Sequence, residues 1–478
     1  MRVVIIAMVE NSTMNVAATL SDACPDLEVY TDRDTLASHG RDWTRFRAAA
    51  PGGVVFPQSA DQVCALVAAA VRAGIPLVPS GGRTGLSGGA VAARGEIVVS
   101  FDRMRKLMDF DAIDRTVTVQ AGVATATVQE FARRKGLYYP VSFASEGSSQ
   151  IGGNVATNAG GIRVLKYGLT RDRVVGLKVV TGQGELLDLN RGLIKNASGY
   201  DLRHLFIGSE GTLGLIVEAT LKLVDPPLPG KALLLGVESM DALMKVFDAL
   251  RSKLQLSAFE FFTDRALHHV CLANDLPAPF ETACPFYVIT EFDCPDPKSE
   301  DTAMERFEFC SQQGWVLDGV ISQSENQLAR LWRYREGISE SISHFPPYKN
   351  DLSVRVSTVP EFLRRMDSLV KEICPNFEVI WYGHIGDGNL HMNILKPAEM
   401  DLRDFETQAH GISEKTYALT RDVGGSLSAE HGIGLLKQPW LGMCRSREEI
   451  GFMQAIKAAF DPAGIFNPGK LLPVDTSD

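Results

Sequence analysis

Trp381-Tyr382-Gly383-His384-Ile385-Gly386-Asp387-Gly388-Asn389-Leu390-His391-Met392-Asn393-Ile394 packs two histidines, one aspartate, two asparagines and three glycines into fourteen residues. Apolar residues at both ends read as strands, and Gly386-Asp387-Gly388-Asn389 reads as the turn between them. Two histidines on a short hairpin can converge on one point, so His384 and His391 are candidate ligands for one divalent metal. Asp387 fits a turn-former better than a ligand, because Asp-Gly and Gly-Asn favour turns. Further on, Gly424 to Gly434 reads G-G-S-L-S-A-E-H-G-I-G, with Glu430 and His431 adjacent among four glycines. Three of the four groups could hold a metal and the fourth could move a proton. Neighbouring side chains of an extended segment point to opposite faces, so Glu430 and His431 can serve one site only where the glycines bend the backbone.

The chain has 478 residues, too many for one ordinary domain. Its 45% hydrophobic and 22% charged residues are normal for a soluble globular enzyme. A net charge of −10 argues against nucleic-acid binding, which needs a basic face. No apolar run approaches the ~20 residues that span a bilayer. Val3 to Val9 is short, ends at Glu10 and reads as a first strand more than a signal peptide. The eight cysteines are scattered and form no C-x-x-C, so no thiolate zinc site or iron–sulfur motif is visible. Scattered cysteines without a signal peptide point to a reducing, cytoplasmic setting. Asp42 to Ala50 is expected to form a helix.

From Val54 the pattern sharpens. A short strand ends at Pro57, Ser59 is an N-cap, and Val63, Leu66, Val67, Ala70 and Val71 repeat at helical spacing before a C-capping Gly74. Strand Ile75–Pro79 runs into Ser80-Gly81-Gly82-Arg83-Thr84-Gly85-Leu86-Ser87-Gly88-Gly89, whose five glycines let backbone N–H groups approach anionic oxygens. Neither G-x-G-x-x-G nor G-K-[ST] is present, so a Rossmann site and a Walker loop both fit poorly. Strands Glu96–Phe101 and Thr116–Ala121 and a helix near Thr125–Lys135 follow. Next come the small-residue stretch Glu146–Gly161 and a hairpin over Gly176–Leu189. Gly208-Ser209-Glu210-Gly211-Thr212-Leu213-Gly214 leads into strand Leu215–Leu223. Pro226, Pro227 and Pro229 mark a domain boundary. Beyond it, strands Leu233–Val237, Pro285–Glu291 and Val316–Ser322 alternate with helices Met240–Leu250 and Asp301–Gln313, which suggests an α+β domain with a mostly antiparallel sheet. Leu328–Glu336 reads as a helix, and Tyr348–Val354 as a loop entering a strand. The pair His268-His269 falls in a helical stretch, and these two, His344 and His410 are read as structural.

Three Gly-rich segments separated by strands suggest a long ligand held between two small α/β lobes. Pro79–Gly89, Ser148–Gly161 and Gly208–Leu223 resemble the flavin-binding signatures of the vanillyl-alcohol-oxidase, or PCMH-type, FAD fold. The resemblance implies that Ser80, Gly81, Gly82, Arg83, Thr84, Gly85 and Leu86 hold the pyrophosphate through backbone amides, and that Ser87 is also cofactor-binding. It also implies that Ser148, Gly152, Gly153, Thr157, Asn158, Ala159, Gly160, Glu210, Gly211, Gly214, Ile216 and Asn467 line the flavin. The first loop carries Arg83 and no histidine, so the FAD is expected to be non-covalent. G-H-I-G-D-G-N-L-H, S-A-E-H-G-I-G and the terminal F-N-P-G-K-L are similar to the C-terminal domain of FAD-linked D-2-hydroxy acid oxidases and dehydrogenases.

The resemblance spans roughly residues 50–473 and implies four segments. These are an N-terminal stretch 1–50, an FAD domain 51–226, a substrate and metal (cap) domain 227–435, and a C-terminal helical segment 436–478 that returns Asn467 and Lys470 to the FAD domain. It further implies oxidation of a D-2-hydroxy acid to the 2-oxo acid by hydride transfer to flavin N5. His384, His391 and Glu430 would hold a divalent metal, Zn²⁺ ahead of Mn²⁺, Co²⁺ or Fe²⁺, and His431 would act as general base. Arg335 with Ser339 on one helix, Lys349 and Asn393 would bind the substrate. Lys349 tilts the likeness toward the D-2-hydroxyglutarate dehydrogenases, since a second carboxylate is a chemical reason for a lysine there. D-lactate, D-malate or glycolate are the alternatives, as is a flavoprotein subunit of a larger electron-transfer complex; a metal hydrolase is the rival of another class. Arg355 departs from the pattern, where proline is usual. Electron-transfer flavoprotein and quinone both fit the family as electron acceptor, and the oligomeric state is left open by the sequence, a homodimer being the commonest form of soluble oligomer.

Overall fold

The computed structural model describes residues 16–44 and 47–473. It divides into one unit of Met1–Gly160, Leu169–Pro226 and Glu430–Asp478, and a second of Gly161–Gly168 and Pro227–Ala429. The strand expected at Val3–Val9 lies outside the described residues.

The first unit holds two sheets. The smaller contains β1 (Val29–Tyr30), β2 (Gly53–Val55), β3 (Leu77–Ser80) and β4 (Ile97–Ser100), in the order β1-β2-β4-β3. β4 runs parallel to both β2 and β3, as short apolar strands joined by crossovers do. The larger sheet is antiparallel throughout. It contains β5 (Leu107–Asp111), β6 (Thr116–Gln120), β7 (Val174–Thr181), β8 (Leu186–Leu189) and β9 (Gly214–Lys222), in the order β5-β6-β9-β7-β8. Helix Ala60–Ala73 packs between β2 and β3 in sequence and forms for legible reasons. The Ser59 hydroxyl accepts from Gln62 N, and Gly74 ends the helix at φ +64°. Its buried stripe is Val63, Leu66, Val67, Ala69 and Ala70. This stripe joins Leu77 and Val99 of one sheet with Val180, Leu215 and Val217 of the other in a single core.

The C-terminal segment completes that core. Leu77 N donates to Ile465 O and Asn467 N to Leu77 O, each at 2.8 Å, so residues 465–467 extend the small sheet beside β3. Phe466 is fully buried between them. Phe466→Ala is expected to cost about 3–5 kcal/mol and to lower the unfolding midpoint. Phe452→Ala, at a ring 73% exposed, should stay within about 0.5 kcal/mol of the parent. Equal midpoints for the two variants would refute the assignment of Phe466 to the core.

The second unit is built on one seven-stranded sheet. Its strands are β10 (Gly230–Val237), β11 (Leu256–Thr263), β12 (Phe286–Asp293), β13 (Val316–Ile321), β14 (Tyr348–Ser353), β15 (Val379–Gly383) and β16 (Asn389–Ile394). The order is β13-β10-β12-β11-β15-β16-β14, with every pair antiparallel. Helices cover both faces. On one side Phe247 of helix Met240–Arg251 packs on Phe259 of β11. On the other, helices Asp264–Asn274 and Glu325–Glu336 share a core with Phe262, Tyr287, Ile380 and Tyr382. The short segment 161–168 joins this unit through Arg163 to Glu291 at 3.1 Å and Lys166 to Asp293 at 2.6 Å.

Several elements differ from the sequence reading. The described residues of Asp42–Ala50 form no helix. Asp42 instead accepts from Thr44 N at 2.8 Å, Trp43 N donates to Gly85 O, and Ala50 N donates to Ala92 O. The donors a helix would use are committed to a side chain and to neighbouring loops. Tyr348–Ser353 is a full strand rather than a loop, because each residue pairs with β16. Arg335 and Ser339 lie on two successive helices, Glu325–Glu336 and Ile338–Ser341, with Gly337 between them.

Candidate functional site

Strand register brings the chemistry of the second unit onto one face. Directly opposed residues of an antiparallel pair share a face, as do residues two apart along a strand. Glu260 and Phe262 are two apart on β11, and Phe262 pairs with Tyr382. Tyr382 pairs with His391, His391 with Asp351, and Asn393 with Lys349. Glu260, Tyr382, His391, Asp351, Asn393 and Lys349 therefore line one surface, the one covered by the helices that carry Arg335 and Ser339.

The hairpin loop adds His384. It follows β15 directly and returns through Gly388, whose φ of +86° and Cβ position 2.1 Å from Val354 O admit no side chain. Asp387 accepts from Asn389 N at 3.1 Å and so closes the turn. Burial pushes the Asp387 carboxyl up to about 6, against the partial pull of His384. The His384 and His391 rings stand 5.3 Å apart at 83°. Each has a carboxylate at Nδ1: Glu260 Oε1 at 2.8 Å for His384 and Asp351 Oδ1 at 3.5 Å for His391. An imidazole anchored through Nδ1 by a carboxylate presents Nε2 as a metal ligand of fixed orientation. Nitrogen and oxygen donors of this kind fit a divalent ion; among the described residues His391 and Asp351 belong to a group close enough to hold one, and His384 lies outside that group.

The same surface carries groups suited to an anion. Arg335 is buried, with its guanidinium carbon 4.8 Å from the Tyr382 ring centre and Nη2 2.8 Å from Glu260 Oε2. Removing one partner of such a buried pair costs about 3–5 kcal/mol. Lys349 Nζ donates to Ser339 Oγ at 3.0 Å. Arg335 Nε and Asn393 Nδ2 are buried donors with no hydrogen-bond partner among the described residues. A buried donor left unpaired is costly, so two on one face mark where an acceptor belongs.

The first unit contains a cleft of its own. It is lined by Ser80, Gly81, Gly82, Arg83, Thr84, Gly85, Ser87, Gly152, Gly153, Thr157, Glu210, Gly211, Gly214, Ile216 and Asn467, together with His431. Leu86, Ser148, Asn158, Ala159 and Gly160 are not among its lining. Asn158 instead caps helix Ile151–Thr157 at φ +51° and accepts from Arg171 N at 3.0 Å. Asp42, Phe101 and Gln150 line the cleft without having been singled out in the sequence. A Cβ on Gly82 would fall 2.0 Å from Ser148 O, so the loop can cross there only as glycine. Ser80 Oγ is fully buried with no partner among the described residues, which suits a ligand oxygen at the loop. Arg83 turns its guanidinium to Gly81 O and Asp102. Burial raises the Asp102 carboxyl, but His39, Arg83, Gln150 and Arg105 outweigh it and hold the group well below the usual range.

Behind the cleft, Glu210 ties several segments together. Its Oε1 accepts from Ile433 N at 2.8 Å and its Oε2 from Gly434 N at 2.7 Å. Burial pushes this carboxyl up, against those two N–H groups. The backbone turns through Gly432 at φ +81° and Gly434 at φ +50°. That bend brings His431 Nε2 within 3.9 Å of Glu430 Oε1, although the two residues are adjacent. Asn467 Nδ2 donates to Gly89 O and Glu210 O, and Lys470 Nζ to Asn467 Oδ1 at 2.6 Å. Burial drives the Lys470 amine down to about 7, opposed by Glu96, Asp42 and Glu210.

Two family models match the chain. An FAD binding domain covers residues 51–190, and the C-terminal domain of FAD linked oxidases covers residues 228–471. The chain belongs to the FAD-linked oxidase family. It is 55% identical over 444 residues to a D-2-hydroxyglutarate dehydrogenase of Stutzerimonas stutzeri strain A1501, covering 93% of this chain and 96% of that one. A mitochondrial D-2-hydroxyglutarate dehydrogenase of Danio rerio is 34% identical over 451 residues, covering 93% and 82%. The fold is similar to that of p-cresol methylhydroxylase with substrate bound, at TM-score 0.78, 14% identity and 97% of both chains. The matched FAD binding domain gives the chain its cofactor, FAD. Among the described residues no helix is long and apolar enough to cross a membrane.

The sequence reading passed over Glu260 and Asp351. Glu260 sits in Phe259-Glu260-Phe261-Phe262, a carboxylate inside an otherwise apolar buried strand, and that oddity is the signal. Asp351 falls within the stretch Tyr348–Val354, but its place beside His391 needs the β14–β16 register.

Proposed function

We propose that this member of the FAD-linked oxidase family oxidises D-2-hydroxyglutarate to 2-oxoglutarate. The observation that carries the reading is the anion-ready face. Buried Arg335 Nε and Asn393 Nδ2 lack partners among the described residues, and the Lys349–Ser339 pair lies beside Asn393 in register. A substrate with two carboxylates has a use for both sets of donors. The 55% identical relative bears the name of that activity.

Non-covalently bound FAD supplies the hydride acceptor, and a divalent ion, Zn²⁺ by its donor set, supplies Lewis acidity. Ser80 and the glycines after it would hold the cofactor's phosphates, and His384, His391 and Glu430 would hold the ion. Arg335 and Asn393 orient the substrate, Lys349 pairs with its distal carboxylate, and His431 takes the C2-hydroxyl proton on its imidazole. An acceptor such as electron-transfer flavoprotein or a quinone would take the electrons.

Anaerobic flavin bleaching tests the reading. D-2-hydroxyglutarate, D-lactate, D-malate and glycolate are each mixed with the protein, with and without chelator. Fast, chelator-sensitive bleaching by D-2-hydroxyglutarate is expected. Faster bleaching by D-lactate or glycolate overturns the substrate, and none by any of the four overturns the hydroxy-acid reading. Lys349→Met removes one charge-assisted contact, worth about 1.5–3 kcal/mol. The expected loss in kcat/KM is about 10–150-fold for D-2-hydroxyglutarate, with D-lactate little changed. An equal loss on both acids would show that Lys349 does not read the distal carboxylate.

A further inference from the structure

A single buried carboxylate touches both halves of the chemistry in the second unit. Glu260 is 1% exposed. One oxygen, Oε1, is hydrogen-bonded with His384 Nδ1 at 2.8 Å, and the other, Oε2, forms an ion pair with Arg335 Nη2 at 2.8 Å without hydrogen-bond geometry. β11 fixes its position, since its neighbours Phe259 and Phe261 are buried on the opposite face and Gly386 N donates to Phe259 O at 3.0 Å. The His384 loop is thus bonded to β11 on both sides of that loop's first turn.

We propose that Glu260 is a positioning residue that holds a metal-ligating imidazole and the substrate-binding guanidinium in one fixed relation. The proposal rests on the metal and substrate roles given above to His384 and Arg335. Accepting the Nδ1 proton of His384 fixes the tautomer and leaves the Nε2 lone pair for the ion. Balancing the Arg335 charge allows the guanidinium to stay buried before a substrate carboxylate arrives. Because both contacts run through one carboxylate, a change at Glu260 should move metal affinity and substrate KM together. A residue serving packing alone would move neither in the folded protein.

The test titrates Zn²⁺ into chelator-stripped, flavin-containing protein by calorimetry and measures KM for D-2-hydroxyglutarate after metal is restored to saturation. Glu260→Gln removes the charge at nearly constant shape. It is expected to weaken Zn²⁺ by about 10–100-fold, as loss of a carboxylate partner to a ligating histidine does, and to raise KM, with flavin content unchanged. Glu260→Asp keeps the buried charge but draws it back by one methylene, and it serves where the glutamine variant does not fold. The same two shifts in smaller measure are expected of it. Zn²⁺ affinity within twofold of the parent in either folded variant overturns the proposal while the metal reading stands. A parent protein that takes up no Zn²⁺ overturns both.

Discussion

His391→Ala is expected to slow flavin bleaching by D-2-hydroxyglutarate at least about a thousandfold in a protein that stays yellow. The size follows from what the imidazole holds. A metal that polarises the reacting oxygen is worth several kcal/mol, and about 4 kcal/mol is a thousandfold in rate. His391 sits in the middle of β16, buried, with Asp351 at its Nδ1 and the His384 ring 5.3 Å away. Alanine there leaves the proposed ion only two of its three protein ligands. It also leaves Asp351, fully buried, without its imidazole neighbour. The FAD cleft is lined by residues of the first unit alone, so flavin content should not follow metal content. The paired measurement is stopped-flow bleaching with elemental analysis of the same sample. His410→Ala, on the exposed side of helix Leu402–Asp422, is the control and should match the parent. A His391→Ala protein that bleaches within tenfold of the parent removes the metal from the reaction as proposed.

What the sequence made legible follows the range of the interactions that carry it. Helix Ala60–Ala73 was readable to its caps because Ser59, the apolar stripe and Gly74 are all local. The hairpin around Asp387 was readable because its turn residues are specific. β11 was not, since Leu256–Phe262 is buried on both faces and shows no alternation. With β11 hidden, Glu260 had no partner to suggest it, for its contacts lie 124 residues away at His384. The helix at Asp42–Ala50 failed for the same reason in reverse. Its local pattern allows a helix, and hydrogen bonds to Gly85 and Ala92 outcompete it. The candidate ligands His384, His391 and Glu430 could be named from short motifs, but Glu260 and Asp351, which sit at Nδ1 of the two histidines, belong to strands whose pairing only the fold reveals.

His431→Asn separates the two roles that adjacent Glu430 and His431 leave open. If His431 moves the proton, the variant should keep its flavin and its metal and lose about 10²–10⁴-fold in kcat, with KM changed less than kcat. If His431 is instead a ligand, metal content should fall as it does in His391→Ala. The proposed function gives His431 the proton. His431 lines the same cleft as Gly81, Gly82 and Gly214, and its loop is clamped by the Glu210 carboxylate at Ile433 N and Gly434 N. A base must be held rigidly at its substrate, because misplacement by about an ångström can cost a hundredfold. Asparagine cannot accept a proton near neutral pH, yet it can keep a hydrogen bond, so the loop should survive the change. His431→Ala opens a space the size of the ring, and added imidazole should restore part of its bleaching rate. Rescue by imidazole with metal retained fixes His431 as the base. Loss of metal in both variants, with no rescue, would transfer the ligand role to His431 and leave Glu430 as the group that takes the proton.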